Sequence, residues 1–226
     1  VLLPLIGLVI TVIITLVLVF AVIGAAARYP AQVPQYGALV ALFGVIAVLG
    51  ILGIAMLVAY LYLVYSLIKR RNRHFERQWR FVEDMSLLIR AVASRMAVDV
   101  EMPLSSVDRT LRDMMADERE KSAILWVVLT LIPYVNLIAS LYVLYFLTKD
   151  FYRHERREDS MTEDLKTALG NLGLHLTFRR SNPIPERNFV LYVILSIVTL
   201  GIFGVYWLYV LIVDPNNHFR SHVQYE

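Results

Sequence analysis

The residues best suited to chemistry in this 226-residue chain are histidines. Each of three follows two tyrosines at a fixed spacing: Tyr62, Tyr65 and His74; Tyr142, Tyr145 and His154; Tyr206, Tyr209 and His218. Three imidazoles delivered from equivalent positions could converge on a metal, and zinc accepts three histidines plus a water. The flanking residues argue against it. Glu76 follows His74 by two, Glu155 follows His154 by one, and His218 has only His222 at four. No second donor therefore recurs on one helical face in all three copies. The reading adopted is a histidine at a membrane-interface turn, bonded to backbone or lipid phosphate, where an unperturbed pKa of about 6.5 would let it respond to pH. A metal held by His74, His154 and His218 is the outlying alternative.

Other chemistry is scarce. Glu83-Asp84 and Glu163-Asp164 lie nine and ten residues after their histidines, about two and a half helical turns away and on the far side of a helix. They read as solvated or arginine-paired acids, not as a catalytic pair. There is no cysteine, which removes disulfides, thiolate metal sites and cysteine nucleophiles. No phosphate loop, nucleophile elbow or metalloprotease pattern is present. The expectation is a non-enzyme with no catalytic residue and no cofactor.

The elements that carry these residues are apolar. From Val1 to Leu67 the only charge is Arg28, and the first acid is Glu76. Apolar runs of about 18 or more residues read as membrane segments, and four occur, near 2–27, 37–68, 123–148 and 188–213. The first lacks a preceding basic residue and exceeds a typical signal core of about 7–15 residues. Pro30, Pro34 and Gly37 make a short loop between the first two runs. "KRRNRHFERQWR", Lys69 to Arg80, follows the second, and such a positive block marks the cytoplasmic side. The expected organisation is a transmembrane hairpin over 1–68, a cytoplasmic helical segment over 69–122, a membrane segment over 123–148, a second cytoplasmic segment over 149–187, and a membrane segment with its exit helix over 188–226. Tyr62, Tyr65, Tyr142, Tyr145, Tyr206, Trp207 and Tyr209 sit where apolar gives way to charge, the depth that aromatic anchors favour.

In the first polar stretch, the spacing of Phe81, Met85, Leu88 and Val92 predicts an amphipathic helix over about 72–97. Pro103 is expected to break it, and Ser105 or Ser106 to cap a second helix with the stripe Val107, Leu111, Met114 and Met115. The first two copies align without a gap: Tyr62 with Tyr142, Lys69 with Lys149, His74 with His154, Glu83-Asp84 with Glu163-Asp164, Pro103 with Pro183. An internal repeat of this kind implies a repeated structural unit. Equivalent units should leave the membrane on one side, which needs an even number of crossings between them, yet one apolar run separates each pair. Re-entrant helical hairpins resolve this, with turns at Pro133 and Asn136 and at Gly201 and Gly204. Single spans remain the alternative. The fold expected is an all-α integral membrane protein: a transmembrane hairpin, two re-entrant hairpins, an amphipathic cytoplasmic helix after each, and a threefold internal repeat.

The stretch "VILSIVTLGIFGVYWLYVLIVDPNNHFRSH", Val193 to His222, resembles a prokaryotic membrane domain, the domain of unknown function numbered four-two-three-four. The likeness rests on the "TLGIFGVYW" core from Thr199 to Trp207 and a polar exit with a nearby His. It covers 188–226 best, with weaker internal copies at 123–164, where "IPYVN" replaces the Gly core, and at 48–84, which keeps the exit alone. The resemblance implies a small helical membrane module and no enzyme activity. The function expected is a non-enzymatic membrane scaffold or accessory subunit, assembling through its membrane segments and amphipathic helices. The alternative is an oligomeric channel or small-solute or lipid conduit lined by the re-entrant turns, for which backbone linings need no intramembrane charge. Membrane lipids and other copies or subunits are the expected partners. Nucleic acid is not, since the excess of basic residues is small and lies beside membrane segments. The location expected is the cell membrane, multi-pass, with 69–122 in the cytoplasm.

Overall fold

The computed structural model describes residues 35–177, 180 and 182–222, together with Val17, Phe20, Ala21 and Gly24. The run at 2–27 and the loop with Pro30 and Pro34 lie outside the described residues, Val17, Phe20, Ala21 and Gly24 apart. Every described element is a helix. They are α1 (Gln35–Met96), α2 (Glu101–Asp117), α3 (Ala123–Leu129), α4 (Val135–Asn171), α5 (Phe189–Val198) and α6 (Ile202–His222). The chain divides into two compact units, Val1–Tyr65 and Ser66–Glu226. At 62 residues α1 is about 93 Å long. It is the one described helix long and apolar enough to cross a membrane, and its apolar window is wholly unburied.

In the second unit, α1 and α4 run side by side in the same direction. Phe75 packs on Phe151, Val82 on Met161, and Ile89 with Ala93 on Ala168 and Leu172. Helix α2 returns antiparallel between them, with Leu104 beside Ala93 and Met114 beside Val82. The chain breaks earlier than expected. Ala97 takes a left-handed φ of 53°, and Asp99 Oδ1 accepts a bond from the Glu101 amide. Pro103 thus sits in the first turn of α2, where its missing N–H costs nothing, and neither Ser105 nor Ser106 caps it. The apolar stripe of α1 is also displaced by one position. Val82, Ile89 and Ala93 are buried, while Phe81 and Leu88 are exposed, as is Met115 on α2. This helix is apolar on both neighbouring rows, and the contact with α4 selects one.

Both remaining apolar runs turn back on themselves. Trp126 of α3 stacks on Tyr142 of α4, with ring centroids 4.7 Å apart, so the seven residues of α3 run antiparallel to the start of α4. The reversal spans Thr130 to Tyr134 and includes Pro133, with Tyr134 left-handed at φ 67°. Asn136 already belongs to α4, its amide bonded to Ile132 O. The second reversal joins α5 to α6. Tyr192 meets Phe203 and Trp207, and Phe189 meets Trp207. Leu200 and Gly201 both have positive φ, Gly201 at 90°, and Thr199 Oγ1 caps the next helix by accepting from the Phe203 amide. Gly204 lies inside α6, not in the turn.

Candidate functional site

Three helices deliver the repeated histidines to one point. α1 brings His74, α4 brings His154 and α6 brings His218, all at most 4% exposed. This corrects the expectation of histidines at an interfacial turn facing backbone or lipid. They lie inside the bundle because α1 and α4 pair in register. Positions 80 apart oppose each other, as when Gln78 Nε2 donates to Glu158 Oε1 at 3.0 Å. α6 joins with the same polarity, with Trp207 beside Thr148 and His218 beside Glu155.

Two further donors share helical faces with these histidines. His222 lies one turn after His218 on α6, and Glu158 one turn after His154 on α4, because residues four apart are neighbours on a helix surface. The distances are short. His74 Nε2 and His222 Nε2 lie 3.0 and 3.1 Å from His218 Nε2. Glu158 Oε1 is 3.1 Å from His222 Nε2, and its Oε2 is 3.6 Å from His218 Nε2. Two sets, His74 with His218 and His222, and His154 with Glu158 and His218, each hold their donor atoms within 4.8 Å of one another.

The outer nitrogens are held by carboxylates. His218 Nδ1 lies 2.9 Å from Glu155 Oε2, and His154 Nδ1 lies 2.8 Å from Glu118 Oε2. A carboxylate can only accept, so each Nδ1 carries the proton and each Nε2 keeps a lone pair. Arg180 Nη1 is 3.1 Å from His218 Nδ1 as well, but its protons have Ser221 Oγ at 2.9 Å and its carboxylate partners, so the assignment stands. His154 Nε2 is buried without a hydrogen-bond partner.

Electrostatics favour the neutral form of His74 and His218 and the ionised form of Glu155 and Glu158. Burial, followed by the neighbouring histidines and Arg77, holds His74 far below its ordinary value. Burial also lowers His218 and outweighs the opposing pull of Glu155 and Glu158. At Glu158 burial alone would raise the pKa, but the hydrogen bond and charge of His222, with His218 and His154, bring it down to about 2. Glu155 is likewise lowered: burial opposes this, but bonds from His218 and the Ile184 amide and the charge of Arg180 prevail.

A ring of ion pairs surrounds the cluster. Arg71, fully buried on α1, donates Nε–H to Asp150 at 2.7 Å and Nη1–H to Arg119 O at 3.1 Å. Arg180 reaches Glu158 and Asp159 at 2.9 and 3.0 Å. Arg157 bonds Asp117 and approaches Glu118. Arg187 grips Asp214 with two bonds, at 2.6 and 2.9 Å. All four of these arginines pair with residues distant in sequence.

The other expected site residues are not gathered here. Tyr62, Tyr65, Tyr142, Tyr206 and Tyr209 are exposed, and Tyr145 is half-buried. Trp207 departs from them: it is buried, and its Nε1–H donates to Thr148 Oγ1 at 3.0 Å. It ties one helix to another. Sequence reasoning passed over Glu158, Glu118 and Arg180. The first had a visible signal, the spacing of four from His154. The other two are brought in by tertiary packing.

Residues 187–225 match the family model of a domain of unknown function (DUF4234). The match runs from Arg187 through both helices of the α5–α6 hairpin to His218 and His222. No curated protein matches the chain, and no solved structure does.

Proposed function

We propose that this chain is a non-enzymatic, multi-pass membrane scaffold or accessory subunit, with its polar bundle on the cytoplasmic side. The observation that carries this reading is the pair of short apolar hairpins beside parallel exit helices. α3 and α5, at 7 and 10 residues, are about 10 and 15 Å long. Neither covers the roughly 30 Å of a bilayer core, so each hairpin dips into one leaflet and returns. Their tips are apolar and open: Tyr134 and Leu200 are 95% and 94% exposed, with Ile138, Val198 and Ile202 nearby. Lipid is the environment that suits such surfaces. The helical segment of α1 before Lys69 supplies a full span.

The charges at the exits are spent on one another, clamping α1, α4, α6 and the connecting segments. That suits a rigid platform presented to other copies or to partner subunits. Two measurements test the reading. Single cysteines at Ser105 and Ser160, both exposed, are labelled in intact cells with an impermeant thiol reagent. Hairpins predict equal protection at both sites, and opposite labelling defeats them. Purification in mild detergent should give the chain with itself or a larger complex. Unitary conductance in reconstituted bilayers would instead favour a channel.

A further inference from the structure

We infer that the buried cluster is a metal site: His74, His218 and His222 bind one divalent transition-metal ion through Nε2, with Glu158 as the carboxylate donor and His154 adjoining it. Four of the chain's five histidines lie in this one place, and His175 is the exception. The inference does not depend on membrane placement.

The geometry carries it. Tetrahedral zinc with bonds of about 2.0–2.1 Å to nitrogen holds its donors about 3.3–3.4 Å apart. The Nε2 atoms of His74 and His222 are 3.0 and 3.1 Å from that of His218, and the donor atoms of the three lie within 4.8 Å of one another, so the two short edges need to open by only a few tenths of an ångström to admit the ion. Protons serve the same atoms poorly. His218 Nε2 has a single lone pair facing two ring nitrogens, His74 and His222, the Glu158 carboxylate beside it has no proton to give, and His154 Nε2 has no hydrogen-bond partner. An ion accepts several lone pairs at once.

The outer partners fit as well. Metal-bound histidines donate their other ring nitrogen to a carboxylate or carbonyl, which fixes the tautomer and raises donor strength. Glu155 does this for His218, and Glu118 holds the adjoining His154 in the same way, both carboxylates being almost fully buried. His218 belongs to both donor sets, yet has one nitrogen to give, so the sets describe one ion and not two. Imidazole with one carboxylate suits zinc, iron, copper or nickel, whereas calcium and magnesium prefer oxygen. The ion would join the exits of α1, α4 and α6 at one point, a staple across the repeated unit.

The test uses the full chain without a polyhistidine tag, stripped with chelator in mild detergent and titrated with Zn(II) and, separately, Co(II). The expected result is about one equivalent of either ion per chain, a Co(II) absorption spectrum of a four- or five-coordinate site, and a higher melting temperature with zinc. His175→Gln should bind as the parent does. His222→Gln, on the last turn of α6, should lose the Co(II) spectrum, and Glu155→Gln should weaken zinc about 10–100-fold. Failure of the folded parent chain to take up zinc overturns the inference, and leaves the cluster a hydrogen-bonded core. Binding lost in His175→Gln but kept in His222→Gln overturns it equally.

Discussion

Acid should loosen this bundle, and the histidine core fixes both the sign and the size. Consider the metal-free chain, in chelator, taken from about pH 7.5 to 5.5. His74 has an ordinary value of 6.5 and is held far below it, first by burial and then by its neighbouring histidines. Below 6.5 the unfolded chain gains a proton there that the folded chain refuses. The folded state binds fewer protons, so stability falls as pH falls. The slope approaches about 1.4 kcal/mol per pH unit, and the loss over this interval is about 1.4 kcal/mol from His74 alone. His218 is shifted in the same direction and adds to the loss. Glu158, lowered from 4.5 to about 2, adds its own share between those values, again with stability lost as pH falls. Denaturant unfolding in mild detergent, followed by far-ultraviolet circular dichroism, measures the effect. His74→Phe, into a pocket already lined by Phe75, Phe151 and Phe219, should flatten the profile above pH 5.5. Stability that is level or rising between pH 7.5 and 5.5 in the parent would refute the reasoning.

Three further outcomes follow from the packing. Burial pushes Arg71 down and Asp150 up, outweighing their mutual attraction at both groups. Arg71→Met should therefore cost about 3–5 kcal/mol by stranding the acid, and Arg71→Met with Asp150→Leu should recover most of it, as a denaturation cycle would reveal. Gly201 has φ 90° with open space where a Cβ would sit, so Gly201→Ala should cost about 1–2 kcal/mol through backbone strain alone. Gly204→Ala, inside α6 and equally open, should stabilise by about 0.5–1 kcal/mol, and melting temperatures separate the two. Trp207→Phe should lose about 1 kcal/mol with its bond to Thr148, and more if Thr148 Oγ1 then lacks its buried partner; a double mutant with Thr148→Val should cost less than the sum.

Much of the fold is written in local pattern. The apolar runs, the positive block after Leu67 and the repeated tyrosine–histidine spacing are properties of the chain itself. The reversals at Pro133 and Gly201 are legible too, because proline deletes a helix hydrogen bond and glycine tolerates positive φ. The exact stripe of α1 was not legible. Phe81 and Leu88 match a helical period as well as Val82 and Ile89 do, and only the neighbour decides which row is covered. The start of α2 was misjudged for a related reason: proline stops a helix from within but suits its first turn.

The sequence by itself determined that three histidines each follow two tyrosines at one spacing, since spacing is a covalent fact. It also held His154 and Glu158, and His218 and His222, one turn apart. Whether those three histidines meet was decided by tertiary structure alone. Helices that leave in the same direction and pack in register bring residues 80 and 144 positions apart to within 3.0 Å of each other. Burial then strips water from the imidazoles, and Glu118, Glu155 and Arg180 arrive from separate segments to fix their tautomers and balance their charge. No spacing rule along the chain encodes those arrivals, because the energy that selects them comes from desolvation and contact between elements.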